Sequence, residues 1–379
     1  RVASVDLPSG INADLTEVEG LAIRAERTYT LCRPKLALAL RPSSDHCGSW
    51  RVIPIGIPDE TVAAAGSDLE WLDHAAAGSL IGPREAETHK GSYGHLLVVA
   101  GSPGKSGAAV LAARGALRSG VGLVTVATSG SSQERVAVQQ AEIMTEPLDE
   151  TAASGLGPGA AREVMDLLGS RDALVLGPGL GTTPESCRAI REIVAGSDLP
   201  AVIDADGLNA MAQQERSERI WTARPDQVVL TPHPGEAARL LDTTTREVQA
   251  DRLGTVRRLA EETGTVALLK GYRSLVASPD GRVAVNASGN PGMATGGSGD
   301  VLTGIVGSFL ARGLRAWDAA RLAVFAHGAA GDLAAGRHGQ EGLIASDIVS
   351  QLPEALHALD RIEGDIPDSI RDDIEFLRA

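Results

Sequence analysis

The sequence predicts an α/β protein built on a mostly parallel sheet with helices on both faces, and three observations carry the prediction. From residue 95 onward one unit recurs: a short β-branched run, a glycine-rich turn, and a longer stretch with apolar residues at helical spacing. Strands that alternate with helices are joined by crossovers, so neighbouring strands run parallel and both sheet faces are covered. Of the 379 residues, 43% are hydrophobic and 22% charged, ordinary globular values that exclude a mainly disordered chain and allow two or three domains.

In chain order, the first residue is Arg1 rather than Met, and the chain reads as a piece of a longer product. Up to residue 80 the texture is distinct, with prolines at 34, 42, 54 and 58 and several short strand-like runs. Val2 to Leu7 and Arg51 to Ile55 are expected to pair as strands, and the Ala-rich stretch from Thr61 to Leu80 reads as a closing helix or linker. A boundary is expected near residues 75 to 90, giving domains at 1–80 and 81–360. Strands are then expected at His95 to Ala100, Val121 to Ala127, Ala173 to Gly177, Ala201 to Asp204, Val228 to Thr231 and Val266 to Lys270, with a helix at Ala108 to Ser119. Two alternating runs around Ser278-Pro279-Asp280-Gly281 read as an antiparallel hairpin, Arg273 to Ala277 with Arg282 to Ala287. A helix is expected over Val301 to Ala311, and the charged tail 361–379 reads as a marginal helix or frayed end. Ligands of such sheets bind beyond the carboxyl ends of the strands, where this chain places its glycine-rich turns.

Charge and cysteine usage narrow the function classes. Lys plus Arg total 35 against 49 Asp plus Glu, a balance of −14, so nucleic acid and anionic membrane surfaces are not expected as partners. Cys32, Cys47 and Cys187 form no Cys-x-x-Cys pair; they read as reduced thiols, which with the lack of a secretory pattern or an apolar span points to a cytoplasmic protein.

The densest chemical signal is Asn290-Pro291-Gly292-Met293-Ala294-Thr295-Gly296-Gly297-Ser298-Gly299-Asp300 ahead of a helical run. Glycines at a helix start leave backbone N–H groups unpaired at the positive end of the helix dipole, a ready site for phosphate. Asp300, in the first turn, is placed to take a proton from a hydroxyl that meets the phosphate. Its charge at a helix start is worth under ~1 kcal/mol, so neutralising it is expected to leave stability nearly unchanged. His233-Pro234-Gly235-Glu236-Ala237-Ala238-Arg239 follows a strand and opens a helix. Pro at the first helical position and a capping Glu236 explain part of it, and leave His233 unexplained. Lys270-Gly271-Tyr272-Arg273-Ser274 ends a strand at the ligand edge, where Lys270 is a point charge for a phosphate. Asp204 and Asp206 follow a buried strand and could serve metal or phosphate, or only cap the next helix.

The run Asn-x-Gly-Met-x-x-Gly-Gly-x-Gly-Asp-x-Leu-x-Gly, here Asn290 to Gly304, resembles the signature of the ADP- or ATP-dependent NAD(P)H-hydrate dehydratases of the ribokinase-like superfamily. Val99-Ala100-Gly101-Ser102, Gly177-Pro178-Gly179-Leu180-Gly181, Asp204 to Asn209, Thr231 to Glu236 and Lys270-Gly271 match in the same order, so the resemblance covers about residues 90 to 355. It implies a ribokinase-like three-layer sandwich and dehydration of the S form of hydrated NADH or NADPH, with ADP going to AMP, or ATP to ADP, plus phosphate in the presence of Mg2+. In the implied chemistry hydroxide is a poor leaving group, so the C6 hydroxyl is phosphorylated and the ring nitrogen's electrons then expel phosphate. The resemblance makes Asp300 the base and places Ala108, Gly179 and His233 to Arg239 on the substrate side. Lys270 to Ser274 and Asn290 to Gly299 fall on the nucleotide side. Lys105 stands where the family usually has a tyrosine. A homo-oligomer, with the tetramer among its forms, is implied as well.

Val5-Asp6-Leu7-Pro8-Ser9-Gly10, Thr28 to Leu31, Pro34-Lys35 and Ile55 to Pro58 are similar to the end of the NAD(P)H-hydrate epimerase domain that often precedes such a dehydratase. By that resemblance Asp6 contacts substrate and Ser9 a potassium ion. Most of that domain would lie upstream of Arg1, so epimerase activity is not expected of these 379 residues. The competing readings are a small-molecule kinase of the same superfamily acting on a hydroxymethylpyrimidine or thiazole alcohol, which shares Gly-Ser-Gly-Asp, and a non-catalytic nucleotide-binding subunit, which Asp300 disfavours.

Overall fold

The computed structural model describes residues 1–152, 155–214 and 226–360; the tail expected at 361–379 lies outside the described residues. The chain divides into two compact units, Arg1–Trp71 and Leu72–Ala379.

In the first unit β1 (Ala3–Val5), β2 (Arg27–Leu31) and β3 (Ser49–Ile53) form a parallel sheet in the order β1-β2-β3. The expected pairing of Val2 to Leu7 with Arg51 to Ile55 is therefore corrected, since both flank β2, whose Thr28 and Thr30 are buried between them. The expected helix or linker at Thr61 to Leu80 is also three pieces: helix Asp59–Ala65, β4 (Leu69–Leu72) and helix His74–Gly78. Gly66, at φ +70°, ends the first helix, and the Asp73 carboxylate caps the last by accepting from the Ala76 N–H at 3.0 Å.

The second unit contains β5 (His95–Val99), β6 (Leu123–Ser129), β7 (Ile143–Leu148), β8 (Ala173–Leu176), β9 (Ala201–Ile203), β10 (Val228–Leu230), β11 (Val266–Leu269), β12 (Leu275–Ala277) and β13 (Val283–Asn286). Their hydrogen-bonded order is β13-β12-β11-β10-β9-β8-β5-β6-β7. Pairs from β11 to β7 are parallel, and the β11-β12-β13 meander is antiparallel. Leu96 and Val98 pack into the core with Val301, Ile305 and Phe309, while the alternate residues Leu97 and Val99 are fully buried as well. A strand buried on both sides lies in a sheet covered on both faces, as expected of this α/β class.

The helix expected at Val301 begins earlier, at Ser298, and runs to Ala311, so Gly299 and Asp300 belong to it. Helix Ser106–Arg118 crosses it at backbone contact. A methyl at Gly304 would lie 1.9 Å from the Ala112 carbonyl oxygen, and one at Gly115 would lie 2.6 Å from that of Val301. Glycine at these two positions is what lets the helices touch. Helices Ala316–His338 and Ala345–Leu359 pack beside them.

Candidate active site

From β5 the chain proceeds to β6 and β7 on one side, while β8 and then β9 lie on the other. The loops that leave β5 and β8 thus diverge at a switch point and open a crevice beyond the strand ends. The Gly101 N–H donates to the Pro178 carbonyl at 2.8 Å and the Ser102 hydroxyl to the Gly179 carbonyl at 2.7 Å, tying the two loops together. Gly179, at φ +65°, lies so close to the next helix that an added methyl would be 3.2 Å from Ala108 Cβ. The structure thus places Ala108 and Gly179 side by side. Asp206 Oδ2 accepts from the Gly181 N–H at 2.8 Å and lies 3.4 Å from Lys105 Nζ, so this carboxylate ties the crevice loops and Lys105 pairs with it.

Beyond β9, β10 and β11 the charged side chains form one cluster. Asp204 is 1% exposed. Its Oδ1 accepts from Lys270 Nζ at 2.7 Å, and its Oδ2 accepts from the Thr303 hydroxyl. Lys270 Nζ also lies 3.8 Å from Glu236 Oε2. Burial pulls the Lys270 ammonium pKa down, but Asp204 and Glu236 outweigh it and the net shift is upward, so Lys270 stays charged. A methyl at Gly299 would lie 3.5 Å from Lys270 Nζ, which puts this cation against the first turn of helix Ser298–Ala311. Asp300 stands in that turn. Burial, then the Asp204 charge, raise its carboxyl to about 6, with Lys270 pulling it down and Asp206 and Glu236 pushing it up.

His233 has a fuller structural role than the sequence suggested. Its ring is the cap of helix Pro234–Leu240, with Nδ1 accepting from the Gly235 N–H at 2.9 Å, while the His233 N–H donates to Glu236 Oε2 at 2.8 Å. Accepting at Nδ1 leaves the proton on Nε2, 3.4 Å from Glu236 Oε1. Burial and then the charges of Lys270 and Arg239 lower the His233 pKa, so the ring is neutral at pH 7. Burial raises that of Glu236. Glu236, Ala237 and Ala238 are buried, whereas His233 and Arg239 are exposed, with Arg239 Nε donating to Asn209 Oδ1 at 3.0 Å.

After β11, Gly271 (φ +139°) and Arg273 (φ +50°) shape a tight turn in which the Ser274 hydroxyl donates to the Gly271 carbonyl at 3.0 Å. Tyr272 is exposed, and the Arg273 guanidinium donates to the Ala287 carbonyl. Along the glycine loop, Pro291, Ala294 and Gly296 are exposed, and a methyl at Gly296 would meet nothing within 4 Å. The Asn290 side chain is turned inward: Nδ2 donates to Asp332 Oδ1 at 2.8 Å and to the Gly331 carbonyl at 3.0 Å, and Oδ1 accepts from the Gly292 N–H at 3.0 Å. Met293 packs on Gly331, and Ser298 Oγ lies 3.3 Å from His327 Nε2. Thr303, His327 and Asp332 are additions to the residues singled out from sequence. They sit inside apolar helices with no local pattern to mark them.

In the first unit, Asp6 (φ +65°) accepts from the Leu31 N–H at 3.0 Å, from the Thr30 hydroxyl at 3.2 Å and from Lys35 Nζ, and the Lys35 bond leads in lowering its pKa. Ser9 is exposed and its carbonyl accepts from the Ile23 N–H at 2.9 Å. Among the described residues no helix is long and apolar enough to cross a membrane.

A family model for NAD(P)H-hydrate dehydratase matches residues 96–354. The bifunctional NAD(P)H-hydrate repair enzyme Nnr of Moorella thermoacetica is 44% identical over 360 residues, covering 95% of this chain and 67% of the relative. The enzyme of the same name from Escherichia coli K12 is 34% identical over 353 residues, covering 93% of this chain and 64% of the relative. Among solved structures, the ADP/ATP-dependent NAD(P)H-hydrate dehydratase of Bacillus subtilis, co-crystallised with ATP and Mg2+, superimposes with a TM-score of 0.67 at 30% identity, covering 78% of this chain and all of that one. A ribokinase-like superfamily protein of Enterococcus faecalis V583 shares the fold, with a TM-score of 0.66 at 23% identity over 78% of this chain and 97% of its own.

Proposed function

The chain belongs to the NAD(P)H-hydrate dehydratase family, and from that premise we propose that it removes water from the S form of hydrated NADH or NADPH, with ADP or ATP consumed. The observation that carries the reading is the Asp300 carboxyl, raised to about 6 and set in the first turn of a helix beside the Lys270 ammonium. A base with that pKa is ionised at pH 7 yet still takes a proton, which an ordinary aspartate does poorly.

In the proposed reaction Asp300 takes the proton of the C6 hydroxyl as its oxygen attacks the terminal phosphorus. The bond to the bridging oxygen breaks, and AMP or ADP leaves. The lone pair of the ring nitrogen then expels inorganic phosphate from C6, and loss of the C5 proton restores the dihydropyridine. Backbone N–H groups from Gly296 to Gly299 and the helix dipole receive the charge on the transferred group, with Lys270 as their neighbouring cation. The Lys270 to Ser274 turn and the Asn290 to Gly299 loop take the nucleotide; Ala108, Gly179 and His233 to Arg239 take the hydrated nicotinamide.

For magnesium, the donor set argues against a protein cage. Asp204 is committed to Lys270 and Thr303, Asp206 to Gly181 and Lys105, and among the described residues no group of three His, Cys, Asp or Glu is placed to hold a metal. Magnesium would instead enter with the nucleotide and, once bound, would neutralise phosphate charge, as suits an ion that keeps most of its waters.

Incubation with hydrated NADH and Mg2+, with ADP and ATP in turn, tests the reading. Return of NADH absorbance together with inorganic phosphate is expected. A stable phosphorylated alcohol, formed from a hydroxymethylpyrimidine or thiazole alcohol with no return of absorbance from the hydrate, would establish the kinase instead.

A further inference from the structure

The glycine loop is pinned at both of its ends by one face of helix Ala316–His338. At the entry, the Asp332 carboxylate uses both oxygens: Oδ2 accepts from the Gly289 N–H at 2.8 Å and Oδ1 from Asn290 Nδ2 at 2.8 Å. Asn290 in turn holds the Gly292 N–H, so one carboxylate sets the backbone from Gly289 to Gly292. Two turns back on the helix, the Ser288 hydroxyl donates to the Phe325 carbonyl at 2.9 Å. Gly328 and Gly331 let Ser288 and Met293 come down onto the helix, since a methyl would lie 2.2 Å from Ser288 Oγ or 2.3 Å from Met293 Sδ. At the exit, Ser298 Oγ lies 3.3 Å from Nε2 of the buried His327.

We infer that Asp332 is a positioning residue for the nucleotide: acting through Asn290, it holds the entry of the glycine loop in its binding geometry before any ligand arrives. The inference rests on the proposed nucleotide-dependent reading for its kinetic consequence, though not for the structural one. Both oxygens of Asp332 accept, so Asp332→Asn, equal in size, sets an amide donor against one of two N–H donors whichever way it turns. The exit pin at Ser298 and the base at Asp300 lie in the following helix and are not touched by this change. The effect therefore falls on nucleotide binding and spares the chemistry at saturation.

The test has two readouts on the full chain. In hydrogen exchange of the unliganded protein, Asp332→Asn is expected to speed exchange at Gly292 and Met293 by about tenfold or more while amides of helix Ser298–Ala311 keep their protection. In steady-state assays with ADP and Mg2+ it is expected to raise the nucleotide KM by about tenfold, with the hydrate KM held within about twofold and kcat lowered by less than about threefold. Asn290→Ala should do the same, and the double variant should be no worse than the more severe single one, because both changes remove one strut. Unchanged exchange in the loop, equal rises in both KM values, or additive effects would overturn the inference. A variant that is merely less well folded would lower the active fraction and leave both KM values in place. A wild-type enzyme that turns over no hydrate with either nucleotide would overturn the functional reading alone, leaving the exchange experiment to decide the role of Asp332.

Discussion

Replacing Asp300 by asparagine should inactivate the protein and stabilise it. The carboxyl is raised from the ordinary 3.8 to about 6, first by burial and then by the Asp204 charge. Between these two values the folded state binds more protons than the unfolded chain, so stability falls as pH rises through that window, and above about 6 the full cost of ionising Asp300 is present. At 1.36 kcal/mol for each unit of pKa, that cost is roughly 3 kcal/mol. Asparagine keeps the shape and removes the ionisation, so Asp300→Asn should gain up to roughly 3 kcal/mol at pH 7.5 and nothing at pH 4. This reverses the expectation, drawn from a helix-start charge alone, that stability would hardly change. Urea unfolding of the two proteins at pH 7.5, 6 and 4 measures the gain, while recovery of NADH absorbance should fall by at least ~10²-fold. In the unmutated enzyme kcat/KM should drop about tenfold per pH unit below about 6. A stability difference that is absent at pH 7.5, or equal at pH 7.5 and 4, would refute the electrostatic account. Near-normal turnover would remove Asp300 from the chemistry.

Lys270→Met should raise the nucleotide KM far more than that of the hydrate, and because it leaves Asp204 and Glu236 buried without their cation it should also cost about 3–5 kcal/mol in urea unfolding; equal effects on the two KM values would misplace Lys270. His233→Ala should raise the hydrate KM and, by removing the ring that caps helix Pro234–Leu240, lower stability by about 0.5–2 kcal/mol; a rise confined to the nucleotide KM would put His233 on the wrong side of the cleft. Burial lowers the His327 pKa to about 4, so from pH 6.5 down to 4 the unfolded chain binds a proton that the folded state does not, and stability is lost on acidification by up to roughly 3 kcal/mol. The gap between wild type and His327→Gln should therefore shift in favour of the variant as pH falls, and a gap independent of pH would show that His327 is not held neutral.

What could be read from sequence was what is local. The β-branched runs of β5, β8, β9, β10 and β11 announce themselves, and so does the glycine run that ends on Asp300. The strand β7, Ile-Met-Thr-Glu-Pro-Leu, carries a charge and a proline because it is a half-exposed edge, and so it fits no buried-strand template. Helix Ala316–His338 is apolar nearly all round, so it presents no stripe at helical spacing to find. The capping of a helix by His233 escapes rules built on Ser, Thr, Asp and Asn. The Lys270 to Asp204 pair spans 66 residues and the Thr303 to Asp204 bond 99, so the electrostatics that tune Asp300 exist only once the strands are assembled side by side.

The backbone contact between helices Ser106–Arg118 and Ser298–Ala311 has a mechanical consequence. With Gly304 seated on Ala112 and Gly115 on Val301, neither helix can slide or roll without collision, so the two move as one strut. Ala108 rides at the front of one and Asp300 at the front of the other. The spacing between Ala108 and the Asp300 carboxyl is therefore fixed when the chain folds. Any closing motion during turnover has to come from the loops around this strut, and a change of substrate would be sought by altering those loops, since no side chain can be added at the crossing.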